Sequence, residues 1–299
     1  MGIADLIQSP SHLARLLEAV RYVAEEDIVM TLYIALKLEK PLLVEGEPGS
    51  GKTELAKVLA EGLGTELIRL QCYEGLDVNT TIYEWDYLRQ LLRIRMEEGR
   101  RDPRELEGEI FSERFLLKRP LLQAVMHEGG RPPVLLIDEI DRADEEFESF
   151  LLEFLGEFQV TIPELGTFKA KQKPIVIITS NRTRELGDGL RRRCLYLYIT
   201  YPSFEKELKI LRLKIPGIEE QLARQLVGVV NRIRALDFVV KKPGIAETLD
   251  WAAALMALNV KSLDVPTLDA TLSCLVKSAD ELARIREQGI GSLLLDQRS

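Results

Sequence analysis

The run Gly46-Glu47-Pro48-Gly49-Ser50-Gly51-Lys52-Thr53 constrains this chain more than any other feature. It follows an apolar stretch, PLLVEG (41–46), and leads into a segment of helical pattern from Lys52 to Leu63, closed by Gly64. Closely spaced glycines let a backbone turn tightly and bring its N–H groups against an anion, which a Cβ would prevent. The helix N-terminus that follows adds its own attraction for negative charge. The pattern is the strand–loop–helix of a phosphate-binding loop, with Lys52 reaching the β- and γ-phosphates of ATP and Thr53 holding Mg²⁺.

A second segment supplies what such a loop needs. VLLIDEID (134–141) holds apolar residues and then Asp138, which is costly to bury unless it meets a cation. Asp138 is expected to support Mg²⁺ through its water shell, and Glu139 to polarise the attacking water. The bland alternative is an acidic loop, since DEIDRADEEFE is acidic throughout, but the acids begin abruptly at the strand end. IVIITSN (175–181) ends in Asn181, a candidate to position the lytic water, although an Asn at a strand end also forms turns. DGLRRRCLYLYI (188–199) sets Arg191, Arg192 and Arg193 before a last apolar strand. An arginine there can enter a neighbouring subunit's site and neutralise charge on the transferring phosphoryl group. It can also complement a helix dipole. Adjacent Asp and Glu suit hydrolysis better than transfer to a small acceptor, which requires water to be kept out.

Continuous apolar runs at 41–46, 66–70, 134–138, 175–181 and 195–199 suit strands buried on both faces of a parallel sheet. With helical patterns between them, they predict an α/β fold, a three-layer αβα sandwich with a parallel five-stranded sheet. Upstream, Leu13, Leu16, Leu17, Val20 and Val23 share one helical face with Ser11 as N-cap, and a second helix runs from about Glu26 to Leu38. A charge-rich insertion at 72–110 carries a helix from Glu84 to Glu98. FQVTIPELGTFKA (158–170) alternates around Glu164–Gly166 as a β-hairpin does. After Ser203 the strands stop and helical faces follow, so a nucleotide-binding domain (1–202) precedes an all-α lid domain (203–299).

The net charge is −8, without a long Lys/Arg run. A grip on a phosphate backbone usually concentrates positive charge, so nucleic-acid binding is disfavoured. Cys72, Cys194, Cys274, His12 and His127 are scattered without metal-ligand spacing, which fits reduced thiols and no metal site of their own. No stretch approaches the ~20 apolar residues of a membrane span, and MGIADLIQSPSH lacks the regions of a signal peptide. The expectation is a cytoplasmic protein, at most peripheral at the inner membrane through a partner.

Strand, Walker A, helix, Walker B, a strand ending in Asn and arginines before a last strand together resemble AAA+ ATPases over residues 20–202. The insertion and the hairpin resemble the helix-2-insert clade. Within it the chain resembles MoxR ATPases, notably the type that accompanies carbon monoxide dehydrogenase maturation. QCYEGLDVNTTIYEWDYLRQLLRIR (71–95), LLIDEIDRADEEFESFLLEFL (135–155) and KPGIAETLDWAAAL (242–255) carry that finer likeness. The resemblance implies Mg²⁺-dependent ATP hydrolysis, with Gly46 to Thr53 as Walker A and Asp138 and Glu139 as Walker B. Asn181 falls at sensor 1, and Arg193 at the arginine finger, with Arg192 as second choice. It further implies a homo-oligomeric ring, commonly a hexamer, a von Willebrand factor A-domain partner and a metalloenzyme client such as a molybdenum hydroxylase. Many relatives place a sensor-2 arginine where KKPGIAE (241–247) lies, and here Gly244 and Ile245 occupy that neighbourhood. Either Lys241 or Lys242 substitutes, or the lid does not contact the γ-phosphate. The competing readings are a DNA-working motor of the same clade and a small-molecule P-loop kinase.

Overall fold

Apolar runs too short for helices become the strands of the central sheet. The computed structural model describes residues 7–98 and 102–294. Its strands are β1 (Leu42–Gly46), β2 (Leu67–Gln71), β3 (Tyr83–Trp85), β4 (Leu116–Lys118), β5 (Val134–Asp138), β6 (Gln159–Ile162), β7 (Gly166–Lys169), β8 (Ile175–Ser180) and β9 (Leu195–Ile199). Five of them form one parallel sheet in the order β2-β5-β8-β1-β9. Leu67 stands opposite Val134, Val134 opposite Ile175, and Leu42 opposite Ile177. Every residue of β5 and β8 is buried, as expected of inner strands covered on both faces. Because the strands are parallel, Gln71, Asp138 and Ser180 all leave the sheet along one edge, where ligands of open α/β sheets bind.

The helices are α1 (Pro10–Ala19), α2 (Glu26–Leu38), α3 (Lys52–Leu63), α4 (Val78–Ile82), α5 (Tyr87–Glu97), α6 (Pro103–Ile110), α7 (Pro120–Val125), α8 (Glu145–Glu157), α9 (Asp188–Arg193), α10 (Phe204–Lys214), α11 (Glu220–Ala235), α12 (Ile245–Ala257), α13 (Val265–Thr271) and α14 (Ala279–Gln288). Three local expectations are corrected. The first helix is capped by Ser9, whose hydroxyl accepts the His12 N–H at 3.1 Å, and Pro10 takes the first helical position. That helix stops at Ala19 because Arg21 turns left-handed (φ 58) and Tyr22 N–H closes onto the Leu17 carbonyl, leaving Val20 and Val23 outside it. In the insertion, Tyr83–Trp85 pair antiparallel with β4, and Asp86 starts α5 by accepting the Arg89 N–H at 3.1 Å. The hairpin is β6 and β7, with Ile162 opposite Gly166.

The chain divides into two compact units. One comprises Met1–Leu16, Glu25–Glu45 and Thr53–Tyr198; the other comprises Leu17–Ala24, Gly46–Lys52 and Ile199–Ser299. The first has its core between the sheet and helices such as α8, whose Phe147, Leu151 and Phe154 are buried with Leu135 and Ile137. The second buries Leu226, Val230, Trp251 and Leu272, and the Trp251 indole N–H reaches Thr271 Oγ1 at 2.9 Å. Among the described residues no helix is long and apolar enough to cross a membrane.

Candidate active site

At the strand ends of the first unit, Asp138 is 2% exposed and gathers hydroxyl and guanidinium donors. Thr53 Oγ1 lies 3.0 Å from its Oδ1, and Thr179 Oγ1 donates to the same oxygen at 2.5 Å. Arg69, two positions before the end of β2, places Nε at 3.0 Å and Nη2 at 2.6 Å from Oδ2. Glu139 follows in the left-handed region (φ 57, ψ 49), its N–H donating to Thr179 Oγ1 at 2.9 Å. Its carboxylate accepts Gln71 Nε2 at 3.0 Å and Asn181 Nδ2 at 3.3 Å, and pairs with Arg142 Nε at 2.9 Å. The ends of β5 and β8 and the start of α3 thus bring Thr53, Asp138, Glu139 and Asn181 into one hydrogen-bonded group.

Asp141 braces it from below. Burial pushes its carboxyl up, but the Thr183 hydroxyl, at 2.6 Å, and the N–H groups of Thr183 and Asn181 hold it below the usual carboxylate range. Cys72 is 1% exposed. Burial, then the charges of Asp138, Asp141 and Glu139, push its thiol up to about 12, so it stays protonated and is no nucleophile.

In the second unit, Lys52 is buried and its ammonium donates to the carbonyls of Gly46 at 2.9 Å and Glu47 at 2.8 Å. The Ser50 hydroxyl is buried without a hydrogen-bond partner among the described residues, and the Tyr201 hydroxyl donates to Pro48 O at 3.0 Å. Gly49 (φ 77) meets the start of α12 backbone to backbone. A Cβ on it would lie 2.8 Å from Gly244 Cα, and one on Gly244 would lie 2.7 Å from both Cα and O of Gly49. Ile245 N–H donates to Gly49 O at 3.0 Å, and Glu247 caps the helix by accepting Gly244 N–H at 3.0 Å. The segment before α12 is held by Arg234, which donates to Pro243 O at 2.8 Å and pairs with buried Glu207 at 2.6 Å. Lys242 is committed to the Leu236 carbonyl at 2.6 Å, whereas Lys241 is exposed.

The three arginines of α9 have different surroundings. Arg191 Nη2 donates to Glu45 Oε1 at 3.2 Å, and the Arg193 guanidinium donates to the Leu152 carbonyl of α8. Arg192 is exposed and has no polar partner among the described residues.

A glycine-rich loop between the first strand and the next helix, with an acid pair at the end of β5, defines a P-loop nucleotide-binding protein. Residues 42–200, more than half of the chain, match the AAA family, the ATPase family associated with various cellular activities. The chain belongs to that family. It is 27% identical over 214 residues to an uncharacterized AAA domain-containing protein of Schizosaccharomyces pombe, covering 67% of this chain and 23% of that one. It is likewise 27% identical over 232 residues to the uncharacterized protein YeaC of Bacillus subtilis, covering 73% and 63%. The chain therefore spans less than two thirds of the length of these relatives. A RuvB mutant of Thermotoga maritima shares the fold, with a TM-score of 0.51 at 18% identity over 85% of this chain and 71% of that one.

Sequence reasoning missed Glu45, Arg69, Gln71 and Thr179. The first carries the same mark that singles out Asp138, an acid ending an apolar run; the other three are recognisable only from the strand order.

Proposed function

We propose that this chain is a Mg²⁺-dependent ATP hydrolase whose turnover remodels a partner protein. The observation that carries this reading is the group at the ends of β5 and β8, where Asp138 meets Thr53 and Glu139 meets Asn181. The donors fit a hard cation: Mg²⁺ takes oxygen ligands and keeps several waters. Thr53 and Asp138 would hold it, and when bound it neutralises charge on the phosphates. The buried, unpartnered Ser50 hydroxyl and the left-handed glycines fit a phosphate-binding loop. Lys52 binds the β- and γ-phosphates, Glu139 accepts the proton of the attacking water, and Asn181 orients that carboxylate. Lys52→Ala is expected to lose nucleotide binding, and Glu139→Gln to bind ATP without hydrolysing it. Near wild-type turnover in Glu139→Gln overturns the assignment.

Arg192 and Arg193 are the arginine-finger candidates in a ring, commonly a hexamer, with ATP between subunits. The freedom of Arg192 favours it over Arg193, whose guanidinium is already engaged. The division into a nucleotide-binding domain (1–202) and a helical lid (203–299) belongs to the same reading.

The role follows the MoxR-like resemblance of 71–95 and 242–255: a chaperone ATPase that works with a von Willebrand factor A-domain protein on a metalloenzyme client, such as a carbon monoxide dehydrogenase-like molybdenum hydroxylase. Deleting the gene in its host is expected to leave the client polypeptides present but without a complete metal centre. ATPase-dead protein is expected not to rescue them. Fully metallated client from the deletion strain overturns this role and leaves the ATPase reading standing.

A further inference from the structure

The strand leading into the phosphate loop carries a buried acid that the proposed chemistry does not use. Glu45, one residue before Gly46, is 2% exposed. Its Oε1 accepts Arg191 Nη2 at 3.2 Å, its Oε2 accepts the Tyr196 hydroxyl at 3.0 Å, and Arg182 Nε stands 3.7 Å from Oε2. The Arg182 guanidinium also lies 5.8 Å from the centre of the Tyr198 ring. The rest of β1 is aliphatic apart from its terminal glycine. Replacing buried ionic groups by apolar residues of similar volume is often no worse for stability. A position-setting role therefore explains this acid better than added stability does.

Its partners are chain neighbours of Asn181 and of Arg192. Arg182 follows Asn181, whose amide reaches Glu139, and its backbone is left-handed (φ 59), so side-chain anchors help fix the course of the loop after β8. Arg191 lies in the last turn of α9, one residue before the unpartnered Arg192. One carboxylate thus holds both the loop that carries Asn181 and the turn that carries Arg192.

We propose that Glu45 is a positioning residue: by gripping Arg182 and Arg191 together, it sets the direction of Arg192 and couples it to the loop of Asn181. It links the occupancy of a subunit's own phosphate position to the arginine offered to the next subunit. This rests on the arginine-finger reading.

The test measures kcat, KM for ATP and melting temperature of the assembled protein for Glu45→Gln, Arg191→Gln and the double variant. Each single substitution is expected to lower kcat by about 10–100-fold with KM changed less than about threefold, in line with the cost of a misplaced group. The double variant is expected to be no slower than the worse single, because both act through one contact. Glu45→Gln subunits mixed with Glu139→Gln subunits regain turnover, since the first retain an intact Glu139 and the second an intact arginine. Normal kcat in the singles, additive losses, or no regain on mixing overturns the proposal. A lower melting temperature with unchanged kcat does so too, because it shows a merely structural tie. Arg192→Ala separates the two readings. If it is inactive while Glu45→Gln turns over normally, only the role of Glu45 falls; if it turns over normally, the finger assignment falls as well. Should Glu45→Gln fail to fold, Arg191→Gln carries the same kcat and mixing tests.

Discussion

Thr179 links the two acids through one hydroxyl, and Thr179→Val removes that link while keeping the shape of the side chain. Thr179 is 1% exposed; its Oγ1 donates to Asp138 at 2.5 Å and accepts the Glu139 N–H at 2.9 Å. A hydrogen bond to a charged group contributes about 1.5–3 kcal/mol, and a buried donor left without a partner costs about 1–3 kcal/mol. The added methyl returns part of this. The net loss is about 2–4 kcal/mol, or roughly 4–16 °C in melting temperature for a unit of this size. Glu139 is held left-handed, a conformation that costs a non-glycine residue on the order of 1–3 kcal/mol and persists only while its surroundings impose it. Released, its carboxylate leaves the place that Gln71 and Asn181 define, and a displacement of ~1 Å costs ~10²-fold in rate. Thr179→Val is therefore expected to bind ATP within a few-fold of wild type, hydrolyse it about 10²-fold more slowly and melt earlier, with Thr179→Ser restoring most of both. Phosphate-release kinetics, nucleotide titration and calorimetry read the three quantities. Wild-type turnover in a Thr179→Val protein that melts early would refute the reasoning, since the hydroxyl would then stabilise the fold without placing Glu139.

Arg192→Ala is expected to lower turnover by ~10³-fold or more if it acts as a finger, and to regain activity when mixed with Glu139→Gln subunits. Rings that assemble and regain nothing would argue against action in trans. Gly244→Ala drives a Cβ to 2.7 Å from Gly49 backbone atoms, so it is expected to cost about 1–3 kcal/mol in stability and to change ATP affinity. Unchanged melting and affinity would mean that the approach is not sterically fixed. Asp141→Asn tests a pH window: the folded-state carboxyl lies below its ordinary value, so its stabilisation is present above the unfolded pKa of about 3.9 and is lost as pH falls through the lower folded value. The deficit of the variant in calorimetry is accordingly expected to be full at pH 7 and to shrink below about pH 4. A deficit that persists undiminished there would show that the charge is not what stabilises.

The central sheet was legible because a strand buried at every position, such as IVIITS, is apolar over most of its length and turns polar only at its end, and the helices between such strands fix the layer order. Asp138 was legible because an acid ends such a run. Glu45 ends one too and carries the same mark, but the glycine-rich loop that follows it already accounted for the end of that run. Arg69 and Gln71 could not be found this way: they reach Asp138 and Glu139 only because β2 pairs with β5, a relation between positions nearly seventy residues apart. Ser9 and Ser11 flank Pro10 and compete as caps by composition alone; the preference of proline for the first helical position decides for Ser9. Glu84 and Trp85 read as helix because the charge pattern continues through them, but their pairing with Leu117 and Leu116 draws them into a strand.

The contact between Gly49 and Gly244 makes backbone thickness a ruler. The closest atoms there are main-chain ones, joined by the bond from Ile245 N–H to Gly49 O, with the Glu247 carboxylate on the Gly244 N–H alongside. Alanine scanning normally subtracts atoms, and at these two positions it adds them. Gly→Ala→Val at position 244 therefore forms a graded set of spacers, with which the gap between the phosphate loop and α12 can be widened in steps while the existing functional side chains remain in place.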